Sequence, residues 1–255
     1  MMNLFENNAT LYDYFEYYEV QGDYMLYLDC CIKNKPILEL GCGTGRVGLE
    51  IAKAGYAIDE LDFSNKMLEV FEKKLIQQPQ EIQNRVTLIH GDMRDFNLNK
   101  KYGLIFVPFN TITYLNDTEF KSTLDCVRLH LVDDGCLIVY VDKQEWRSNF
   151  PIHLEKTYSE IPYGDMKIHY VHWIDSTNED ERSIIYSLRH DFYRDGVCIR
   201  STEPDTLKIW YRTYEEYCTL FSENGFRITN VWSSFDKDDV DDTTERYIFR
   251  AVLND

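Results

Sequence analysis

Apolar and polar positions along this chain follow two alternating rhythms. Short, nearly continuous apolar runs read as buried strands: Ile37 to Leu40, Ala57 to Ser64, Val86 to His90, Tyr102 to Val107 and Cys136 to Val141. Between them, apolar residues spaced three and four apart read as helices. These are Val47 to Ala52, Lys66 to Leu75 with Met67, Leu68, Phe71 and Leu75 on one face, and Thr118 to Leu131. A helix over 22–33 precedes the first strand, and polar Gln77 to Asn84, holding Pro79, reads as a loop. Strands alternating with helices predict a parallel sheet covered by helices. From Lys143 to Glu203 the helices stop. Met166 to Trp173, Arg182 to Tyr193 and Val197 to Ser201 read as antiparallel strands, with Asp195-Gly196 as a two-residue hairpin turn. Helical spacing returns at Tyr214 to Asn224, ended by Gly225, and Phe226 to Trp232 with Arg246 to Val252 form a closing hairpin.

Composition narrows the class. At 255 residues, 44% hydrophobic and 28% charged, the chain suits one α/β domain or a domain with an insertion. No apolar run approaches the ~20 residues that span a bilayer, and the N-terminus lacks the basic and apolar regions of a signal peptide. Seven cysteines, odd in number and without C-x-x-C spacing, indicate reduced thiols in a cytoplasmic protein. A net charge of −17 argues against a nucleic-acid partner and favours a small molecule, cationic sooner than anionic. The expected assembly is a monomer or homodimer.

The chemistry concentrates at strand ends. Gly41-Cys42-Gly43-Thr44-Gly45 joins the first strand to a helix, the arrangement that cradles a nucleotide-like ligand. A dinucleotide fingerprint would place its third glycine at Arg46, and here it comes one residue early. Asp62, 17 positions after Gly45, ends the second strand where a carboxylate can accept bonds from ribose hydroxyls. Ser64 is a natural N-cap for the helix that follows.

With Glu39, the turn reads E-x-G-x-G-x-G and resembles motif I of the class I S-adenosylmethionine-dependent methyltransferases. Glu60-Leu61-Asp62-Phe63-Ser64-Asn65-Lys66-Met67-Leu68 resembles that family's G-x-D-x-S-x-x-M-L, with Glu60 in place of the glycine. Gly91-Asp92-Met93-Arg94-Asp95-Phe96 is similar to a run in its small-molecule members. The resemblance covers residues 37–142 and resumes over about 207–253. It implies an α/β, Rossmann-like, seven-stranded, mostly parallel sheet whose last strand is antiparallel, with an antiparallel β insertion after strand five. It implies S-adenosylmethionine as cofactor, held by Glu39, Gly41, Cys42, Gly43, Gly45, Asp62 and Phe63. Asp92 would bond the adenine amino group and Met93 pack on the ring. Phe109, Asn110 and Tyr114 would face the transferring methyl. Metal-dependent catechol-type members carry a carboxylate at this strand end; Pro108-Phe109-Asn110 does not, so no metal is expected.

The expected organisation is an N-terminal helical lid over 1–36, a cofactor domain over 37–142 and 204–255, and an insertion over 143–203 that selects a small-molecule methyl acceptor, an amine. The aromatic N-terminus (Phe5, Tyr12, Tyr14, Phe15, Tyr17, Tyr18, Tyr24, Tyr27) either packs a helix on the sheet or covers the sulfonium, with Tyr12 the first choice for the second role. His169 and His172 are the candidates for a general base, and strand alternation sends them to opposite faces. Asp142 either points toward the site or caps the next turn. The acidic run 236–242 reads as a solvated loop. A non-catalytic S-adenosylmethionine-binding protein and a nicotinamide-dependent oxidoreductase are the alternatives.

Overall fold

A computed structural model describes residues 6–14, 22–143 and 151–254. Phe5, Phe15, Tyr17 and Tyr18 lie outside them, as does part of the expected 1–36 lid. In chain order the elements are a 3-10 helix Ala9–Tyr14, α1 Asp23–Asp29, β1 Ile37–Leu40, α2 Arg46–Lys53, β2 Ile58–Asp62, α3 Asn65–Leu75, α4 Gln80–Gln83, β3 Val86–His90, β4 Tyr102–Val107, a 3-10 helix Thr111–Tyr114, α5 Asp117–His130, β5 Leu131–Asp142, β6 Lys156–Tyr163, β7 Met166–Asn178, β8 Ser183–Arg194, β9 Val197–Ser201, β10 Asp205–Trp210, α6 Tyr214–Glu223, β11 Phe226–Trp232 and β12 Arg246–Leu253. Among the described residues no helix is long and apolar enough to cross a membrane. The chain packs as two units, residues 21–143 with 212–255, and residues 1–20 with 144–211.

The first unit holds a seven-stranded sheet in the order β11-β12-β5-β4-β1-β2-β3. Strands β1 to β5 pair in parallel, and β12 enters antiparallel between β5 and β11. The expected sheet is therefore the observed one. Its apolar runs are continuous because both faces are covered. Leu38, Ile105, Val139 and Phe249 meet Phe120 and Phe221 on one side, while Ile37, Phe106, Ile138 and Ile248 meet Tyr27 and Ile51 on the other. Helix starts follow their caps. Ser64 Oγ accepts the Met67 N–H at 3.2 Å, and Asn116 with Glu119 forms a complete capping box on α5. Gln77 to Asn84 contains one helical turn, α4, where a loop was expected; Pro79 fits just ahead of it because a helix start needs no N–H there.

The second unit is a five-stranded antiparallel sheet in the order β10-β8-β7-β6, with β9 also pairing β8. Asp195 and Gly196 both take positive φ, 49° and 78°, as the right-handed strand twist demands of a two-residue turn. Two boundaries differ from expectation. β10 pairs along its length with β8, Asp205 opposite Leu188 through Trp210 opposite Ser183, so the insertion continues past 203. The N-terminal residues divide as well: described residues 6–14 belong with this sheet, tied by Asn7 and Asn8 to Asp205, whereas α1 packs in the first unit.

Candidate functional site

The site begins where β1 ends. The Gly41 N–H donates to Leu61 O at 2.7 Å, and the chain turns through Gly41, Gly43 and Gly45 with φ of 79°, 56° and 80°. The glycines serve different ends. A Cβ on Gly45 would lie 2.3 Å from the Phe71 ring, and one on Gly41 would lie 2.4 Å from Thr111 Cγ2, so those positions are closed by packing. A Cβ on Gly43 would meet no atom within 4 Å. That position opens on free space, the cradle a ligand backbone contact requires.

Asp62, at the end of β2, ties the cradle in place. Its Oδ2 accepts the Gly43 N–H at 2.7 Å and its Oδ1 accepts the Ser64 N–H at 2.8 Å. Phe63 follows, 43% exposed, an apolar ring at the rim. Beyond β3, both oxygens of Asp92 are engaged by Arg94, whose Nε lies 2.9 and 3.0 Å away and whose own N–H donates to Oδ1 at 2.9 Å. Burial pushes this carboxyl up, but the hydrogen bonds from Arg94 win and hold it below its ordinary value. Arg94 also pairs with Glu119 on α5, fixing the loop, and Met93 packs against the core.

At the exit of β4, Phe109 and Asn110 both have positive φ, 50° and 63°. Asn110 Nδ2 donates to Asp142 Oδ2 at 2.6 Å, and the Asp142 N–H donates back to Asn110 Oδ1 at 2.6 Å. Tyr140 OH donates to the other oxygen of Asp142 at 2.5 Å. Phe109, Tyr140 and Phe235 stack nearly parallel, with centroids 6.0 and 5.5 Å apart. Arg46, bidentate on Asp23 at 2.8 and 2.7 Å, lies 5.8 Å from the Phe109 ring centre. Tyr114 closes the 3-10 helix after this turn.

Beneath the cradle is an arrangement that single-strand patterns do not display. Glu39 and Glu60 are ladder partners on β1 and β2, 1% and 0% exposed. Glu60 fits because Gly48 on α2 has no side chain; a Cβ there would lie 1.4 Å from Glu60 Oε1. No donor among the described residues reaches either oxygen of Glu60 or Oε2 of Glu39. The pair must therefore supply its own proton, one acid donating to the other. Burial pushes Glu39 up to about 8, and burial together with Glu39 raises Glu60 well above its ordinary value. The same burial raises the Cys42 thiol. The signal was in the sequence: Glu39 stands two before Gly41 and Glu60 two before Asp62, equivalent places on adjacent strands.

The structure brings Glu39, Gly41, Cys42, Gly43, Gly45, Asp62, Phe63, Asp92, Met93, Phe109, Asn110 and Tyr114 into the first unit. Tyr12, His169 and His172 fall in the second. There His169 Nε2 meets Glu160 Oε2 at 2.7 Å and its ring stacks on Tyr193. His172 is 6% exposed, with Nδ1 2.7 Å from the Tyr186 hydroxyl, and Tyr12 is half-buried in the first 3-10 helix.

A family model described as a methyltransferase domain matches residues 37–135, from the first strand through the fourth and into the fifth. Residues 37–135 are a methyltransferase domain. Among curated proteins, the putative methyltransferase YqeM of Bacillus subtilis is 22% identical over 97% of this chain and 96% of its own length. Among solved structures, the CcbJ methyltransferase from Streptomyces caelestis superposes with a TM-score of 0.79 at 18% identity, over 98% of this chain and 97% of that one. The glycopeptide N-methyltransferase MtfA, complexed with S-adenosylmethionine, superposes with a TM-score of 0.61 at 20% identity, over 92% and 96%. The methyltransferase fold thus extends over nearly the whole chain, second unit included. The family is S-adenosylmethionine-dependent. The open cradle at Gly43 and the carboxylate behind it fit that cofactor.

Proposed function

We propose that this methyltransferase transfers the methyl group of S-adenosylmethionine to an amine nitrogen of a small molecule by in-line displacement. The observation that carries it is the free space over Gly43, backed by Asp62. When bound, S-adenosylmethionine supplies an electrophilic methyl on a sulfonium: the acceptor's lone pair forms the new bond, the carbon–sulfur pair leaves with sulfur, and the positive charge passes to the acceptor. Gly43 and its neighbours would hold the amino-acid end, Asp62 the ribose, and Asp92, Met93 and Phe63 the adenine. Alignment of donor and acceptor supplies most of the rate. An amine needs no anionic oxygen to be generated, and the net charge of −17 favours a cationic solute. The N-methyltransferase named above is of the same reaction class. Acceptor selection is assigned to the second unit, which carries none of the proposed cofactor contacts apart from Tyr12.

Calorimetry tests the proposal. S-adenosylmethionine and S-adenosylhomocysteine should bind and NAD should not. Gly43→Ala should abolish binding while the circular dichroism spectrum is largely kept, because the added Cβ meets no protein atom and the strain of a left-handed alanine is confined to one turn residue. Omitting residues 1–20 and replacing 144–211 with a glycine-serine linker should leave S-adenosylhomocysteine affinity within a few-fold. Binding of NAD alone, or a Gly43→Ala chain that binds as before, would overturn the assignment.

A further inference from the structure

We propose that Asp142 receives the acceptor nitrogen, accepting a hydrogen bond from its N–H and offsetting the positive charge that nitrogen acquires. This rests on the amine-methylating function proposed above.

Position is the first support. Ligands of open α/β sheets lie beyond the carboxyl ends of the strands, where the strand order reverses. Here that point is beside β1, whose end carries the glycine turn. In the order β5-β4-β1, Asp142 stands two strands away, about 10 Å. It is also coupled to the glycine turn through a short chain of fixed contacts. Asp142 grips Asn110 by two reciprocal hydrogen bonds, and the next residue, Thr111, puts its methyl where a Gly41 side chain would be.

The backbone between them is strained. Two successive non-glycine residues, Phe109 and Asn110, occupy the left-handed region, which residues with a side chain rarely adopt. A chain holds such a turn only where surrounding bonds over-determine it, and here the Asp142 clamp does so. Strain of this kind collects where a side chain must be aimed at a ligand.

The carboxylate itself is aimed. Asn110 and Tyr140 fix its two oxygens from buried positions, 7% and 2% exposed, while Asp142 is half-buried. It is the accessible end of a buried network, with a lone pair left on each oxygen. The Phe109–Tyr140–Phe235 column runs alongside, and aromatic faces favour cations over anions. A carboxylate beside aromatic rings stabilises a nitrogen becoming positive. A hydroxyl acceptor would first have to be deprotonated, and the carboxylate would repel the alkoxide so formed, so Asp142 also favours amines over hydroxyls.

The test needs no knowledge of the acceptor. Sinefungin carries a primary amine in place of the methyl-bearing sulfonium, whereas S-adenosylhomocysteine carries nothing there. Calorimetry should show wild type preferring sinefungin by about tenfold or more, the worth of a charged hydrogen bond. In Asp142→Asn, S-adenosylhomocysteine affinity should change less than about twofold and the preference should vanish; the amide oxygen can still accept from Asn110, so the clamp survives. A second measurement is independent of any variant. The ratio of the two wild-type affinities should decline as the extra amine loses its proton at alkaline pH. A wild type that binds S-adenosylhomocysteine without preferring sinefungin, or an Asp142→Asn chain that keeps the preference, overturns the role of Asp142 and leaves the cofactor assignment standing. A wild type that binds neither ligand overturns both.

Discussion

Replacing Glu60 with Gln should change how stability depends on pH, in a direction set by the buried pair. In the folded chain Glu60 keeps its proton well above its ordinary 4.5, and its partner Glu39 titrates at about 8. In the unfolded chain both ionise near 4.5. Between these limits the folded state holds protons that the unfolded state has released, so stability falls as pH rises. One such proton is worth about 1.4 kcal/mol per pH unit. The loss builds as pH rises from 4.5 toward about 8 and is a sizeable part of an ordinary domain's stability. Glu60→Gln keeps the shape that fits against Gly48, brings an N–H donor to Glu39, and removes one of the two titrating groups. Urea unfolding followed by circular dichroism, at pH 5, 6, 7 and 8, should show the variant gaining on wild type by about 1.4 kcal/mol with each step. A difference that stays constant across those four values would refute the shared proton. A Glu60→Gln chain less stable than wild type at pH 8 would do the same.

Two further outcomes follow from groups elsewhere. Asp62→Ala should weaken S-adenosylmethionine about ten- to hundredfold by calorimetry, with Glu60→Gln much nearer wild type, because only Asp62 reaches the cradle. His190 has the opposite pH signature to the glutamates: burial pushes it down to about 4, so the folded state holds fewer protons than the unfolded one between 4 and 6.5. Stability should therefore drop by about 3 kcal/mol as pH falls through that window, and His190→Gln should remove the drop in acid urea titrations.

What could be read from the chain was what neighbours in sequence decide. The glycine spacing, the Ser64 cap and the five parallel strands are local patterns, and each holds in the structure. What could not be read depends on partners far along the chain. β6 escaped notice because Glu160 and Pro162 interrupt its alternation, and it becomes a strand only by pairing with β7. β10 looked like part of the returning α/β pattern, yet its ladder runs to β8. The grip of Asp142 on Asn110 joins two strand ends through side chains, and no periodicity announces it. Glu60 is the instructive failure. It could be seen as a departure from a glycine, but its consequence depends on register with Glu39 and on a glycine in α2 that leaves it room.

The hydrogen bond from Asn8 to Asp205 spans 197 residues. During synthesis Asn8 emerges long before its anchor, which follows 197 residues later. The parallel sheet waits too, since β12 must arrive to pair with β5. Neither unit can be completed in the order in which it is made. Contacts this distant slow folding and leave apolar strands unpaired for longer. A chain halted before residue 205 would leave the edge of β8 from Ser183 to Leu188 unclaimed, a surface on which another nascent copy could pair.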